Sequence, residues 1–142
     1  MNAGTAVIAG ILGLVLIGMT IVLLATNARD RLLPEEAGAT AIYSETCGAR
    51  LGARNWSKPF VQLRLHREFL VLGCVQPLLL PYSSVVGVRR IGTLLGRGVI
   101  IDHNHQSAPE PVVIWTDNET KLIALLQRYA TPAGCDNRHY DS

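Results

Sequence analysis

The sequence predicts a single N-terminal transmembrane helix followed by a small, mainly-β domain, a curved antiparallel sheet capped by a C-terminal helix. Three observations carry that reading. No residue from 1 to 28 has a charged side chain, and the chain turns polar at once with Arg29, Asp30 and Arg31. Between residues 58 and 115, short segments either alternate apolar with polar side chains or form brief apolar runs bounded by Gly and Pro, as strands do. After Trp115 the apolar period lengthens to that of a helix.

The first element is residues 6–25, a run of 20 residues of which 12 are Val, Ile or Leu. At about 1.5 Å of rise per residue it spans roughly 30 Å, the thickness of a bilayer's hydrocarbon. Its branched apolar residues favour insertion by roughly 4 to 7 kcal/mol before the glycines are charged against them. A cleaved secretory signal is the competing reading. Such a signal wants a basic n-region, an apolar stretch of about 7 to 15 residues and small residues before the cut. Met1-Asn2-Ala3-Gly4 has no Lys or Arg, the apolar run is too long, and Thr26-Asn27-Ala28 is a weak cleavage match. The expectation is a permanent anchor over residues 1–28. Arg29, Arg31, Arg50, Arg54 and Lys58 all follow the span, so the positive-inside rule predicts a short N-terminus outside and the folded part in the cytoplasm, at the cell (inner) membrane. Ala6 with Gly10 and Ala9 with Gly13 are spaced to share one helix face, where small residues let a second helix approach.

About 114 residues remain beyond the anchor, enough for one small core. A net charge of +2 from scattered basic residues gives no footprint for nucleic acid. The three cysteines, Cys47, Cys74 and Cys135, are odd in number and form no Cys-x-x-Cys, so neither a disulfide framework nor a zinc knuckle is indicated. They agree with a reducing cytoplasmic face.

Residues 29–57 read as a juxtamembrane connector holding Pro34, Gly38, Gly48 and Gly52, with one strand-like stretch at 39–44. From Lys58, Val61, Leu63 and Leu65 alternate with Gln62, Arg64 and His66, a strand with one wet face. Arg67-Glu68 forms the turn and residues 69–74 return. Residues 78–80, between Pro77 and Pro81, suit a sheet edge or a sheet corner. Residues 85–91 make a further strand with Gly87 as a bulge or close-packing point. Gly96-Arg97-Gly98 is a turn into 99–101, and residues 106–111 turn into 112–115. In the final helix, Thr116 and Glu119 offer a capping box. Leu122, Leu125, Leu126 and Tyr129 form its apolar stripe, with Trp115 expected beneath it. Thr131-Pro132-Ala133-Gly134 ends the helix, leaving 132–142 as a flexible tail.

Several strands followed by one amphipathic helix resemble a pleckstrin-homology-like (PH-like) or GRAM-like domain, closest to the small bacterial version found behind membrane helices. The resemblance rests on Phe60-Val61-Gln62-Leu63-Arg64-Leu65 with Phe69-Leu70-Val71-Leu72, and on Leu80-Pro81-Tyr82 leading to Val85-Val86-Gly87-Val88. It continues through Gly96-Arg97-Gly98-Val99-Ile100-Ile101 and Val113-Ile114-Trp115. It covers about residues 58–130, within a PH-like domain expected over 58–131, and implies a fold of seven strands, of which five or six are visible, with 39–44 a candidate for a missing one. Relatives that hold phosphoinositides use a dense basic cluster at the first hairpin. Here Arg64, His66 and Arg67 are diluted by Glu68, so headgroup specificity does not carry over.

No site for chemistry assembles. His103 and His105 could share a strand face, but no third ligand stands at metal spacing. Ser83 and Ser84 lack a Gly-x-Ser-x-Gly context. The glycines from Gly92 to Gly98 lack the Lys and Ser/Thr of a phosphate loop. The chain is therefore expected to be no enzyme, with no cofactor, metal, nucleic acid or small-molecule substrate. Arg64, Arg67, Arg89, Arg90 and Arg97 are the candidate contact residues for anionic lipid or an acidic partner. Trp56, beside Lys58, is the candidate for interfacial contact. The expected role is a docking, scaffold or accessory module for a membrane-protein complex. An anionic-lipid-binding module is the alternative, and an anchored enzyme the less favoured one.

Overall fold

The computed structural model describes residues 3–94 and 96–130. The expected helix end at residues 131–134, the tail and Cys135 lie outside them. Helix α1 (Ala3–Asp30) is continuous and carries the apolar run into the first charged residues. It is long and apolar enough to cross a membrane, and none of its apolar window is buried against the domain.

After a 3-10 turn at Pro34–Glu36, seven strands follow: β1 (Tyr43–Leu51), β2 (Arg54–Leu65), β3 (Phe69–Gly73), β4 (Leu78–Pro81), β5 (Val85–Thr93), β6 (Gly96–His103) and β7 (Val112–Trp115). Helix α2 (Glu119–Ala130) ends the described chain. The strands form one antiparallel sheet in the order β4-β3-β2-β1-β7-β6-β5, curled into a half-barrel. Its edges are β4, the first of the two places its flanking prolines suited, and β5. A 3-10 turn at Tyr82–Ser84 joins them.

The sheet begins at Tyr43, which corrects the expected connector over 29–57. Its residues 43–51 form β1, and residues 54–57 open β2. The signal was weak because the core positions of β1 are Cys47, Ala49 and Leu51, two of them small, and because opposite them β2 carries extra residues between Trp56 and Val61 that break its own alternation. Gly52, at φ +61, is the first central residue of the two-residue loop joining Leu51 to Arg54. Among the described residues no non-Gly residue has positive φ, so Ala53 does not, and this is the pattern of a type II′ hairpin.

The core fills the concave side of the sheet. Val61, Leu63 and Leu65 of β2, Leu70 and Leu72 of β3, Val99 and Ile101 of β6 and Ile114 of β7 are essentially solvent-free. Leu122 and Leu126 of α2 close it, with Ile123, Leu125 and Tyr129 half-buried beside them. The expected Thr116–Glu119 capping box does not form. The Thr116 hydroxyl donates to Glu45 Oε1 at 2.8 Å and accepts the Asn118 backbone N–H at 3.0 Å. Glu119 is turned toward Arg90 and Arg97 instead. The expected bulge near Gly87 is present as a register shift between Val85 and Gly87.

Candidate functional site

The most tightly built polar group joins α1 to the sheet. Pro34 starts the turn that delivers Glu36, whose side chain is buried against β2. Arg64 donates Nε to Glu36 Oε1 at 2.6 Å and Nη2 to Oε2 at 2.9 Å. The Leu33 backbone N–H donates to Oε2 at 2.8 Å, and His66 Nε2 lies 3.0 Å from Oε1. Burial pushes the Glu36 carboxyl up, but these hydrogen bonds, led by Arg64, outweigh it and hold it at about 2. The carboxylate is therefore an acceptor, and His66 Nε2 carries the proton between them.

The remaining Arg64 donors reach the end of the membrane-length helix. Nη1 donates to the Arg29 carbonyl and Nη2 to the Arg31 carbonyl, both at 3.2 Å. The last carbonyls of a helix have no partners within it, and a buried cation satisfies both their hydrogen bonding and the helix dipole. Arg29 Nη1 in turn donates to the Pro59 carbonyl at 2.8 Å. Gly73 of β3 completes the joint, since a Cβ there would collide with the Arg29 carbonyl. Both Glu36 oxygens and all three Arg64 nitrogens are bonded, and His66 Nδ1 is the one buried atom of the group without a partner, so the cluster ties α1 to the sheet.

The five candidate arginines therefore do not share one surface. Arg64 is only 7% exposed, which removes it as a contact residue. Alternation put it on the wet face of β2, and the turn at Pro34–Glu36 covers that face. Arg89 is exposed but tied to Asp102 by two bonds of 2.6 and 2.7 Å. Arg90 and Arg97 stand 3.8 and 4.0 Å from Glu119 Oε1. Arg67 is exposed on the β2–β3 turn. Among the described residues, Leu94 is the one fully exposed large apolar residue of the domain, in the β5–β6 turn between Arg90 and Arg97 in sequence.

The two tryptophans exchange their expected places. Trp56 pairs with Ala49 and packs against the core, whereas Trp115 lies on the opposite face of the sheet from α2. Trp115 is flanked in register by Gly48 of β1 and Gly98 of β6. A Cβ on Gly98 would stand 2.5 Å from the Ile114 carbonyl and 2.9 Å from the indole, and one on Gly48 2.9 Å from the Trp56 carbonyl. Two glycines thus let the ring lie flat, with Nε1 donating to Asn55 Oδ1 at 3.4 Å. The ring floors an open groove of about 680 Å³ bordered by Arg50, Lys58, Ile91, Arg97 and Asp117.

Seven antiparallel strands curled around one C-terminal helix find counterparts among solved structures. The chain is similar to the Vps36 N-terminal PH domain, with a TM-score of 0.53 and 15% identity over 74% of this chain and 87% of that one. The fold is PH-like. A second similar structure is the C-terminal domain of an unknown protein from Leishmania infantum, at a TM-score of 0.55 and 12% identity over 68% of this chain and 89% of that one. No protein-family model and no curated protein matches the sequence.

Within this PH-like domain, no three His, Cys, Asp or Glu residues gather to hold a metal among the described residues. His103 is buried at the end of β6, with Nε2 3.3 Å from the Pro109 carbonyl, and His105 lies beyond the strand. Cys47 and Cys74 are buried free thiols, and burial pushes Cys47 up to about 12, far from a thiolate. Sequence reasoning missed Glu36 and the Trp115 groove. Glu36 reads as one of two solvated acids after Pro34, and nothing local marks its partner 28 residues away.

Proposed function

We propose that this protein is a single-pass membrane docking module. Helix α1 is its anchor in the inner membrane of a bacterial cell, its N-terminus is outside, and its PH-like domain is a non-enzymatic scaffold or accessory unit for a membrane-protein partner. The observation that carries this reading is the buried Glu36–Arg64 joint. It makes the end of α1 part of the domain's own structure, which a helix destined for removal does not require. Such a joint fixes the domain's attitude to the bilayer, so that a chosen face is presented to neighbours. Ala6, Ala9, Gly10 and Gly13 serve as the helix-packing face in this proposal, and a Cβ on Gly10 or Gly13 would meet no other atom.

The test is fractionation of cells expressing the full chain. The protein is expected to stay in the membrane through a carbonate wash, at the intact mass of 142 residues. A mature form beginning near Arg29 defeats the anchor, and C-terminal reporter fusions active only outside defeat the orientation. Leu94, with Arg90 and Arg97, favours a second reading, in which the β5–β6 tip meets anionic lipid. Cross-linking from position 94 separates the two, reaching lipid in that case and protein in the first.

A further inference from the structure

We propose that the Trp115 groove docks an extended acidic segment of a partner protein, with an apolar side chain of that segment on the indole and its carboxylates on Arg50 and Arg97. The face is not part of the fold's own packing. Trp115 points away from α2 and leaves its outer side open, on a floor that two glycines keep flat. The groove crosses β2, β1, β7, β6 and β5, and at about 4.8 Å between strands its length is roughly 19 Å, room for five or six extended residues.

Charge decides the occupant. Lys58 pairs with Asp117 at 3.0 Å, so these two cancel. Arg50 makes a single bond, from Nε to the Gly52 carbonyl at 3.2 Å, and Arg97 is 80% exposed with its nearest anion, Glu119, at 4.0 Å. The surplus is positive. In register, Arg50 shares the outer face with its partner Val113, two residues before Trp115, while Arg97, next to Gly98, roots on the α2 face and lines the groove's far rim. The two guanidinium-bearing residues bracket the ring rather than gather on one side of it. That spacing matches charges strung along a peptide with an apolar residue between them, better than one compact headgroup. Lys58 adjoins Pro59, whose carbonyl receives Arg29, so the groove opens beside the exit of α1. Identifying the segment as juxtamembrane rests on the anchor reading above, whereas the groove's chemistry does not.

The test uses the full chain in neutral detergent micelles and a fluorescein-labelled peptide of Asp and Glu with one central Phe, read by anisotropy. The acidic peptide is expected to bind at least about tenfold tighter than its Lys counterpart and to weaken as salt rises from about 0.05 to 0.3 M. Arg50→Glu and Arg97→Glu, both at exposed positions, should each cost about tenfold, and replacing the peptide's Phe by Ala about fivefold. Trp115→Phe should retain part of the affinity, and Trp115→Ala lose it. Equal binding of acidic and basic peptides, or no effect of the two charge reversals, overturns the proposal. Displacement of the peptide by phosphatidylglycerol in the micelle at equal concentration also overturns it, in favour of a lipid headgroup. A cleaved mature form in cells would instead remove the anchor and leave these titrations standing.

Discussion

Glu36 and Arg64 are held together where almost no water reaches either, with side chains 1% and 8% exposed. Removing one partner strands the other charge, so Glu36→Ala should cost about 3 to 5 kcal/mol in urea denaturation of the full chain in mild detergent. Replacing both, as Glu36→Leu with Arg64→Met, should recover much of that loss, because the desolvation cost disappears with the charges. The exposed Arg89–Asp102 pair has similar geometry but sits in water, and Arg89→Ala should change stability far less than Glu36→Ala does. Acid provides an independent measurement. Since the folded carboxyl of Glu36 lies at about 2, below its ordinary 4.5, its contribution is complete above pH 4.5 and is lost as pH falls through 2. The contribution is on the order of 3 kcal/mol, and Glu36→Gln should flatten that limb of the stability profile.

The elements differ in how they reach their places. Helix α2 is amphipathic on its own account, and Leu122 and Leu126 are fully buried where its stripe meets the sheet. Leu126→Ala should therefore cost about 2 to 5 kcal/mol, and the half-buried Leu125 less, as read by thermal or urea unfolding. Equal small losses at both would mean that the helix packs elsewhere. β1 lacks such a stripe and is held by pairing with β2 and β7. Its middle depends on Gly48, as that of β6 depends on Gly98, for contact with Trp115. Gly98→Ala should destabilise the domain by about 1 to 3 kcal/mol, because a Cβ there overlaps the Ile114 carbonyl on a neighbouring strand that cannot yield. The β-alternation of β2 was legible from Val61 onward, yet what covers its outer face was not.

At the scale of the whole molecule, a helix of membrane length and a PH-like domain meet in one continuous structure. The helix ends at Asp30, and the next carbonyl, that of Arg31, is already bonded to the sheet through Arg64. Rigid attachment predicts that Gly73→Ala, which pushes against the Arg29 carbonyl, should loosen the joint and leave the core intact. Hydrogen exchange should rise at residues 28–36 while the amides of β6 and β7 keep their protection.

The sequence by itself determined the anchor-length helix, the core face of β2 and the stripe of α2. Each of these is written in the periodicity or composition of neighbouring residues, which hydrophobic burial reads locally. Tertiary structure alone decided that Arg64 is buried, that Glu36 is its partner, and that the strand carrying Cys47, Ala49 and Leu51 belongs to the sheet. It also decided that Trp115 faces outward over two glycines from strands distant in the chain. These outcomes depend on which segments meet across long sequence separations, where a charge finds its counter-charge and a ring finds a gap, and no local pattern encodes such meetings.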